Sequence, residues 1–413
     1  MTAMLQVITL EKATALLQEK FSGRHTGTEL LPLDACAGHI IRQDILAQAD
    51  VPGFDRSTVD GYALAAKDTF GCGSTLPALL SVAGRVTMGQ SPDFVCPPGR
   101  CAEIPTGGAL PAGCDAVAML EYAEDYGDGL LGITRPAVPG DNLIFKGDDV
   151  RTGQVVVHAG TRLQAHDIGA LAALGATQIQ AAALPCVGIL STGDEIIPPS
   201  AAPSGGQIRD VNGPLLAAAV TAAGCVPKAY GICPDDRGQI AKALDRMAAE
   251  CDVVLFSGGS SAGAQDDAAG ILAQLGTVYF HGLALKPGKP TLAGAIGEKP
   301  VFCLPGHPVA AYFVFCLLVC PLLASLQGKT QNMEQPCWRA RLDTAIPSNH
   351  GREECVAVCL TRQGDTLTAA PVMTKSGLIT LLSGTQGFVQ IPRDCEGLEK
   401  NTEVTVHPYG NLS

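Results

Sequence analysis

Between Leu184 and Leu326 the chain repeats one rhythm, a short apolar run, a loop and then a helix-length segment, and this repeat restricts the fold more than any other feature. The runs predict strands at Cys186–Leu190, Pro227–Ile232, Asp252–Phe256, Val278–Leu285 and Val301–Leu304. The segments between and after them predict helices at Asn212–Ala223, Asp236–Ala249, Asp267–Leu275 and Val309–Leu326. Short Val/Ile/Leu strands alternating with helices read as a parallel sheet covered on both faces. In such a sheet ligands bind beyond the carboxyl ends of the strands, where loops enter helix N-termini.

The flanks differ in texture. An amphipathic stretch from Leu10 to Phe21 predicts a helix, and residues 28–50 and 152–180 read as two halves of one domain, with a strand at Val155–Val157 and a helix from Ala165 to Leu174. Residues 51–151 carry short β-like runs broken by Gly and Pro, the mark of an inserted β-rich domain. After Gln327 the pattern is turns and short strands, a small barrel or sandwich. A chain of 413 residues has room for several such units, at ~100–200 residues each. With 46% hydrophobic and 16% charged residues it can bury large cores, which excludes disorder and coiled coil.

A net charge of −12 repels polyanions and anionic membrane surfaces, so neither nucleic acid nor membrane is expected as a partner. An anionic ligand must be held locally by lysines, arginines and backbone N–H groups. The most apolar run, Val309 to Ala324, is shorter than the ~20 residues of a bilayer span and contains Pro321, so it reads as a buried core helix. Sixteen cysteines without one C-x-x-C spacing read as reduced, mostly buried thiols of a cytoplasmic protein, and the N-terminal segment lacks the pattern of a secretory leader.

Four loops at predicted strand ends carry chemistry. Ser191-Thr192-Gly193-Asp194-Glu195 sets two hydroxyls and two carboxylates directly after a strand. Ser257-Gly258-Gly259-Ser260-Ser261-Ala262-Gly263-Ala264-Gln265-Asp266 has the glycines of an anion-binding nest, though no Gly-Lys-[Ser/Thr] closes it as a Walker loop would. Asp194 and Asp266 read equally as helix caps. Lys286-Pro287-Gly288-Lys289-Pro290 holds two lysines in a stiff turn, and Leu304-Pro305-Gly306-His307-Pro308 leads into the apolar helix, with His307 either touching ligand or capping it. Two weaker candidates lie in the inserted segment: the Pro52–Ala63 loop with Asp60, and Thr106 before Gly107-Gly108. Hydroxyls, nests, lysines and carboxylates together describe a site for a phosphorylated or nucleotide ligand with Mg²⁺.

These segments in this order, with Ile104-Pro105-Thr106-Gly107 and Lys146-Gly147-Asp148-Asp149 among them, resemble the molybdopterin molybdotransferase family, the molybdenum insertases that include bacterial MoeA and the C-terminal domain of gephyrin. The resemblance covers almost the whole chain. It implies a multidomain α/β-plus-β fold: an N-terminal helix (1–27) on the α/β domain, a split domain (28–50 and 152–180), an inserted β-rich domain (51–151), a parallel-sheet molybdopterin-binding domain (181–328) and a C-terminal β-barrel (329–413). It implies an enzyme that takes adenylylated molybdopterin from a molybdopterin adenylyltransferase upstream, inserts molybdate with Mg²⁺-dependent cleavage of the pyrophosphate bond, and releases AMP and molybdenum cofactor. It further implies a homodimer whose site is shared between subunits.

By motif position Asp60, Thr106, Asp149, Glu195 and Asp266 become the catalytic set, with Glu195 and Asp266 at the Mg²⁺. Ser191, Thr192, Gly193, Ser257, Gly258, Gly259, Pro305, Gly306 and His307 become substrate contacts. Lys286, Lys289, Arg352 and Ser376 become the oxyanion site. Three departures stand out: Ser260 and Ala262 in the glycine-rich loop, His307 and Ala310 where the family usually has Asn and Ser, and Ala357 where a second arginine is common. They leave open a weakened pterin-binding scaffold or a paralogue handling tungstate. A nucleotidyl transferase or pyrophosphatase using residues 181–328 alone is the third reading.

Overall fold

The computed structural model describes residues 7–258, 262–329, 337–364, 366–373 and 375–409, with backbone alone at 262–266 and 363. The first helix, α1 (Leu10–Phe21), begins where Thr9 accepts the Lys12 N–H. It buries Leu10, Ala13, Leu17 and Phe21, one face at i, i+3 and i+4 spacing, against the central domain. Strand Thr28–Pro32 pairs antiparallel with Gln178–Ala182, and Ile45–Leu46 with Val155–Val157, so two distant stretches share one small core that also takes Leu171 of α2 (Ala165–Ala173). The chain between them forms a six-stranded sheet built on Leu64, Leu80, Cys101 and Ile133.

The central domain contains β1 (Cys186–Thr192), α3 (Asn212–Ala222), β2 (Val226–Cys233), α4 (Arg237–Glu250), β3 (Val253–Gly258), α5 (Ala262–Leu275), β4 (Thr277–His281), β5 (Leu292–Ile296) and β6 (Lys299–Leu304). A final apolar helix, α6, follows at Pro308–Leu326, with a π turn at Phe315–Val319. The sheet order is β2-β1-β3-β6-β5-β4. The five strands expected from the sequence are parallel to one another, and β5, an additional strand, runs antiparallel to both its neighbours and makes the sheet mixed. Alternation decides the faces: Val187, Ile189, Val253, Leu255, Phe302 and Leu304 point into the core under α1, α3 and α6, while Leu190, Val254, Phe256, Val301 and Cys303 point under α4 and α5.

The strand expected over Val278–Leu285 ends at His281, because Gly282 turns the chain at φ +112°. Leu285–Lys286 instead forms its own short strand, parallel to Glu353–Glu354 of the C-terminal domain. Helix α6 is 19 residues long and apolar enough to cross a membrane by length and composition, but 67% of its most apolar 18-residue stretch is buried in this core, so it is the core helix expected. All sixteen cysteines are free thiols.

The C-terminal strands β7 (Trp338–Leu342), β8 (Glu353–Gln363), β9 (Thr366–Pro371), β10 (Gly387–Ile391) and β11 (Glu403–Pro408) pair in the ring β8-β9-β7-β11-β10-β8, a closed barrel and not a sandwich. Its outer face packs on α6, with Phe388 edge-to-face on Phe313 at 5.2 Å between ring centres. That contact sets the barrel beside the carboxyl ends of the central strands.

Candidate functional site

Two adjoining cavities open where β1, β3 and β6 end. The first, about 550 Å³, is lined by Ser191, Thr192, Glu195, Asp210, Asn212, Ser257, Gly258, Gly306 and His307. Ser191, Thr192 and Ser257 are buried residues that line the cavity wall. Ser191 Oγ donates to Asp210 Oδ1 at 2.8 Å, and the same oxygen accepts the Gly213 N–H at 2.9 Å in the first turn of α3. Gly258 is glycine for a steric reason, since a Cβ there would lie 1.8 Å from Thr192 Oγ1. Asn212 donates from Nδ2 to the Gly306 carbonyl at 3.0 Å, tying α3 to the Pro305–Pro308 loop, and its buried Oδ1 has no partner.

Beside Glu195, which lines this cavity, stand further carboxylates, and Asp235 among them lines a smaller neighbouring cavity that shares Thr192 and Gly258. The Asp235 N–H donates to Asp194 Oδ1 at 3.1 Å, and burial together with the charges of Glu195 and Asp194 pushes the Asp235 carboxyl above its usual range. Gly193 is buried at the turn between Thr192 and this acidic group. Among the described residues no group of three or more His, Cys, Asp or Glu side chains is disposed to hold a metal ion by itself. Gly259 and Ser260 lie outside the described residues, as does the side chain of Asp266.

The second cavity, about 760 Å³, lies between the central domain and the barrel, and Lys286, Gly288, Lys289, Pro305, His307, Arg352, Glu354, Lys375 and Ser376 line it. Gly288 sits at φ +136°, and a Cβ would meet Val314 Cγ2 at 2.9 Å, so only glycine lets this turn press onto α6. Lys286 Nζ forms a 2.8 Å ion pair with the buried Glu354, which also accepts from Ser348 Oγ at 2.7 Å. Lys289 and Arg352 have no acidic partner among the described residues, so their charges face the cavity uncompensated. His307 Nδ1 lies 2.7 Å from Ser376 Oγ, and His307 and Gly377 line both cavities, forming the partition between them. Ala357 lines the second cavity from the barrel, and Ala310 lines it from α6.

The structure therefore gathers Ser191, Thr192, Glu195, Ser257, Gly258, Gly306, Pro305, His307, Lys286, Lys289, Arg352 and Ser376 around two connected spaces. Asp60, Thr106 and Asp149 stand apart. Asp60 Oδ1 accepts both the N–H (2.7 Å) and the hydroxyl (3.1 Å) of Thr106 on the exposed rim of the inserted sheet, and exposed Asp149 donates its N–H to the Val51 carbonyl at 3.0 Å. None of the three lines either cavity. Sequence reasoning missed Asp210, Asn212 and Glu354. The first two follow a two-residue strand, Ile208–Arg209, too short to signal a site, while Glu354 acts through a pairing between domains that no local pattern encodes.

The multidomain α/β fold thus carries, where its central domain meets the barrel, a cleft with cations clustered on one side and carboxylates on the other. Family profiles match along the chain: the MoeA N-terminal region (domain I and II) over residues 8–175, a probable molybdopterin binding domain over 188–325, and the MoeA C-terminal region (domain IV) over 339–409. The chain belongs to the MoeA family. It is 31% identical over 98% of its length to the molybdopterin molybdenumtransferase of Haemophilus influenzae, all of which is covered. It is 32% identical to molybdopterin molybdenumtransferase 2 of Mycobacterium tuberculosis over 91% of this chain and 94% of that one. The crystal structure of the molybdopterin biosynthesis MoeA protein from Pyrococcus horikoshii superposes with a TM-score of 0.84 at 36% identity, covering 98% of this chain and 99% of that one.

Proposed function

We propose that this protein is a cytoplasmic molybdopterin molybdotransferase that inserts molybdate into adenylylated molybdopterin, cleaves the pyrophosphate bond and releases AMP. The observation that carries the reading is the pair of cavities meeting at His307: a hydroxyl- and carboxylate-lined space beside one lined by Lys286, Lys289, Arg352 and Ser376. Hydroxyls and N–H groups at strand ends suit the phosphorylated pterin, and uncompensated cations suit a tetrahedral oxyanion. The oxyanion is substrate, and tungstate carries the same charge and shape.

Glu195 at the cavity wall supplies the hard oxygen donor that Mg²⁺ prefers, since this ion takes one or two carboxylates and completes its shell with phosphates and water. Glu195, with Asp266, would hold it, and when bound it offsets the charge of the diphosphate. This chain's own groups do the remaining work. Thr192 and Ser257 orient the phosphates while Ser191 is held by Asp210, Lys289 and Arg352 draw the oxyanion to the barrel side, and Lys286 is held in place by Glu354.

Asp60, Thr106 and Asp149 are exposed and line neither cavity, which fits a homodimer in which one protomer's inserted domain faces its partner's cleft. The substrate's adenylyl group requires an adenylyltransferase upstream. Calorimetric titration with an AMP-release assay on adenylylated molybdopterin, Mg²⁺ and molybdate tests the proposal: molybdate-dependent AMP release supports it, whereas binding without AMP identifies a scaffold.

A further inference from the structure

We infer that His307 is a positioning residue for the oxyanion, acting through the hydroxyl of Ser376. The inference rests on the reading of the Lys289–Arg352 cavity as an oxyanion site, and goes beyond it by giving the partition a function. His307 Nδ1 and Ser376 Oγ are 2.7 Å apart, so one of them donates to the other. Serine has a single proton. If Nδ1 is bare, it takes that proton and leaves only hydroxyl lone pairs facing the cavity, which repel an anion. If Nδ1 carries hydrogen, it donates to Oγ, and the Ser376 proton is free to point at the oxyanion.

An anion drawn in by Lys289 and Arg352 therefore selects the imidazole form protonated at Nδ1, and the imidazole fixes the hydroxyl rotor for it. The segment itself is held separately, because the Val309 N–H donates to the Ser376 carbonyl at 3.1 Å, so the side-chain bond is not needed to keep the loop in place. Asparagine, whose side-chain amide also donates, can do the same work from this position; alanine cannot. The His307–Ser376 pair thus connects the first turn of α6 to the barrel loop through a directional hydrogen bond.

Molybdate affinity measured by calorimetry on the full chain and three single variants, plus the double variant, tests this. His307→Ala and Ser376→Ala are each expected to weaken binding about tenfold, the loss of one charge-assisted hydrogen bond. His307→Asn is expected to stay within about twofold of the parent, and the double alanine variant to bind no worse than Ser376→Ala. Nitrogen NMR of labelled histidine is expected to report hydrogen at His307 Nδ1 when molybdate is added. Losses that multiply in the double variant, or failure of His307→Asn to rescue, overturn the inference while leaving the oxyanion site standing. Absence of molybdate binding by the parent chain overturns the site reading and this inference together.

Discussion

Lys286 and Glu354 are partners twice over: their backbones stand opposite each other in a parallel two-strand pairing, and their side chains close a 2.8 Å ion pair. One residue belongs to the central domain and the other to the barrel, so this contact fixes the wall of the larger cavity and docks the two domains. The carboxylate is buried and the lysine is half exposed. Replacing Glu354 with Gln removes the charge partner and keeps the shape. We expect the unfolding free energy to fall by about 1–2 kcal/mol in urea titration, a magnitude between those of exposed and buried pairs. An unchanged midpoint would remove Glu354 from the docking argument.

Gly288→Ala imposes two penalties at one atom, a left-handed φ of +136° and a contact with Val314 at 2.9 Å. A loss of about 1–3 kcal/mol is expected from the backbone alone. Because the turn carries Lys286 and Lys289, oxyanion affinity should fall with stability, and calorimetry on the folded variant checks whether the two move together.

Lys289→Ala and Lys286→Ala each delete one cation from the larger cavity. We expect molybdate or inorganic phosphate to bind more weakly by ~1.5–3 kcal/mol for each charge-assisted bond lost. Equal affinity in a titration would make the 286–290 turn a solvated surface feature.

Asp235 tests the acidic crowding. Its carboxyl is pushed up by burial and by Glu195 and Asp194, so the folded chain binds a proton there more readily than the unfolded chain does. The contribution of this group to stability is therefore fully present below the unfolded carboxylate range and is lost as pH rises through the raised folded value. Asp235→Asn is expected to unfold at a higher temperature than the parent at neutral pH, with the gain disappearing in acid. A gain independent of pH would point to packing instead of charge.

Much of this architecture was legible in the sequence where local pattern and tertiary contact agree. Helix α1 runs over the residues its amphipathic spacing predicts, and β1, β3 and β6 follow their Val/Ile/Leu runs. Strand β5 went unread because Leu-Ala-Gly-Ala-Ile has little β preference; its place comes from pairing with β4 and β6. The loops at the strand ends were readable because glycine, proline and hydroxyl residues cluster there. What they bind together was not readable, since the Lys286–Glu354 and His307–Ser376 contacts join elements 68 and 69 residues apart.

The proposed cleft is assembled from two protomers. Asp60 lies in the inserted domain and Lys289 in the central one, so Asp60→Ala and Lys289→Ala damage opposite walls of the same proposed site. Each variant alone is expected to release little or no AMP from adenylylated molybdopterin with Mg²⁺ and molybdate. Mixed in equal amounts and allowed to exchange subunits, they should recover about a quarter of the parent's AMP release, because half of the dimers are mixed and each mixed dimer has one intact site. No recovery from a mixture shown to contain mixed dimers, beside an active parent, would contradict the shared cleft.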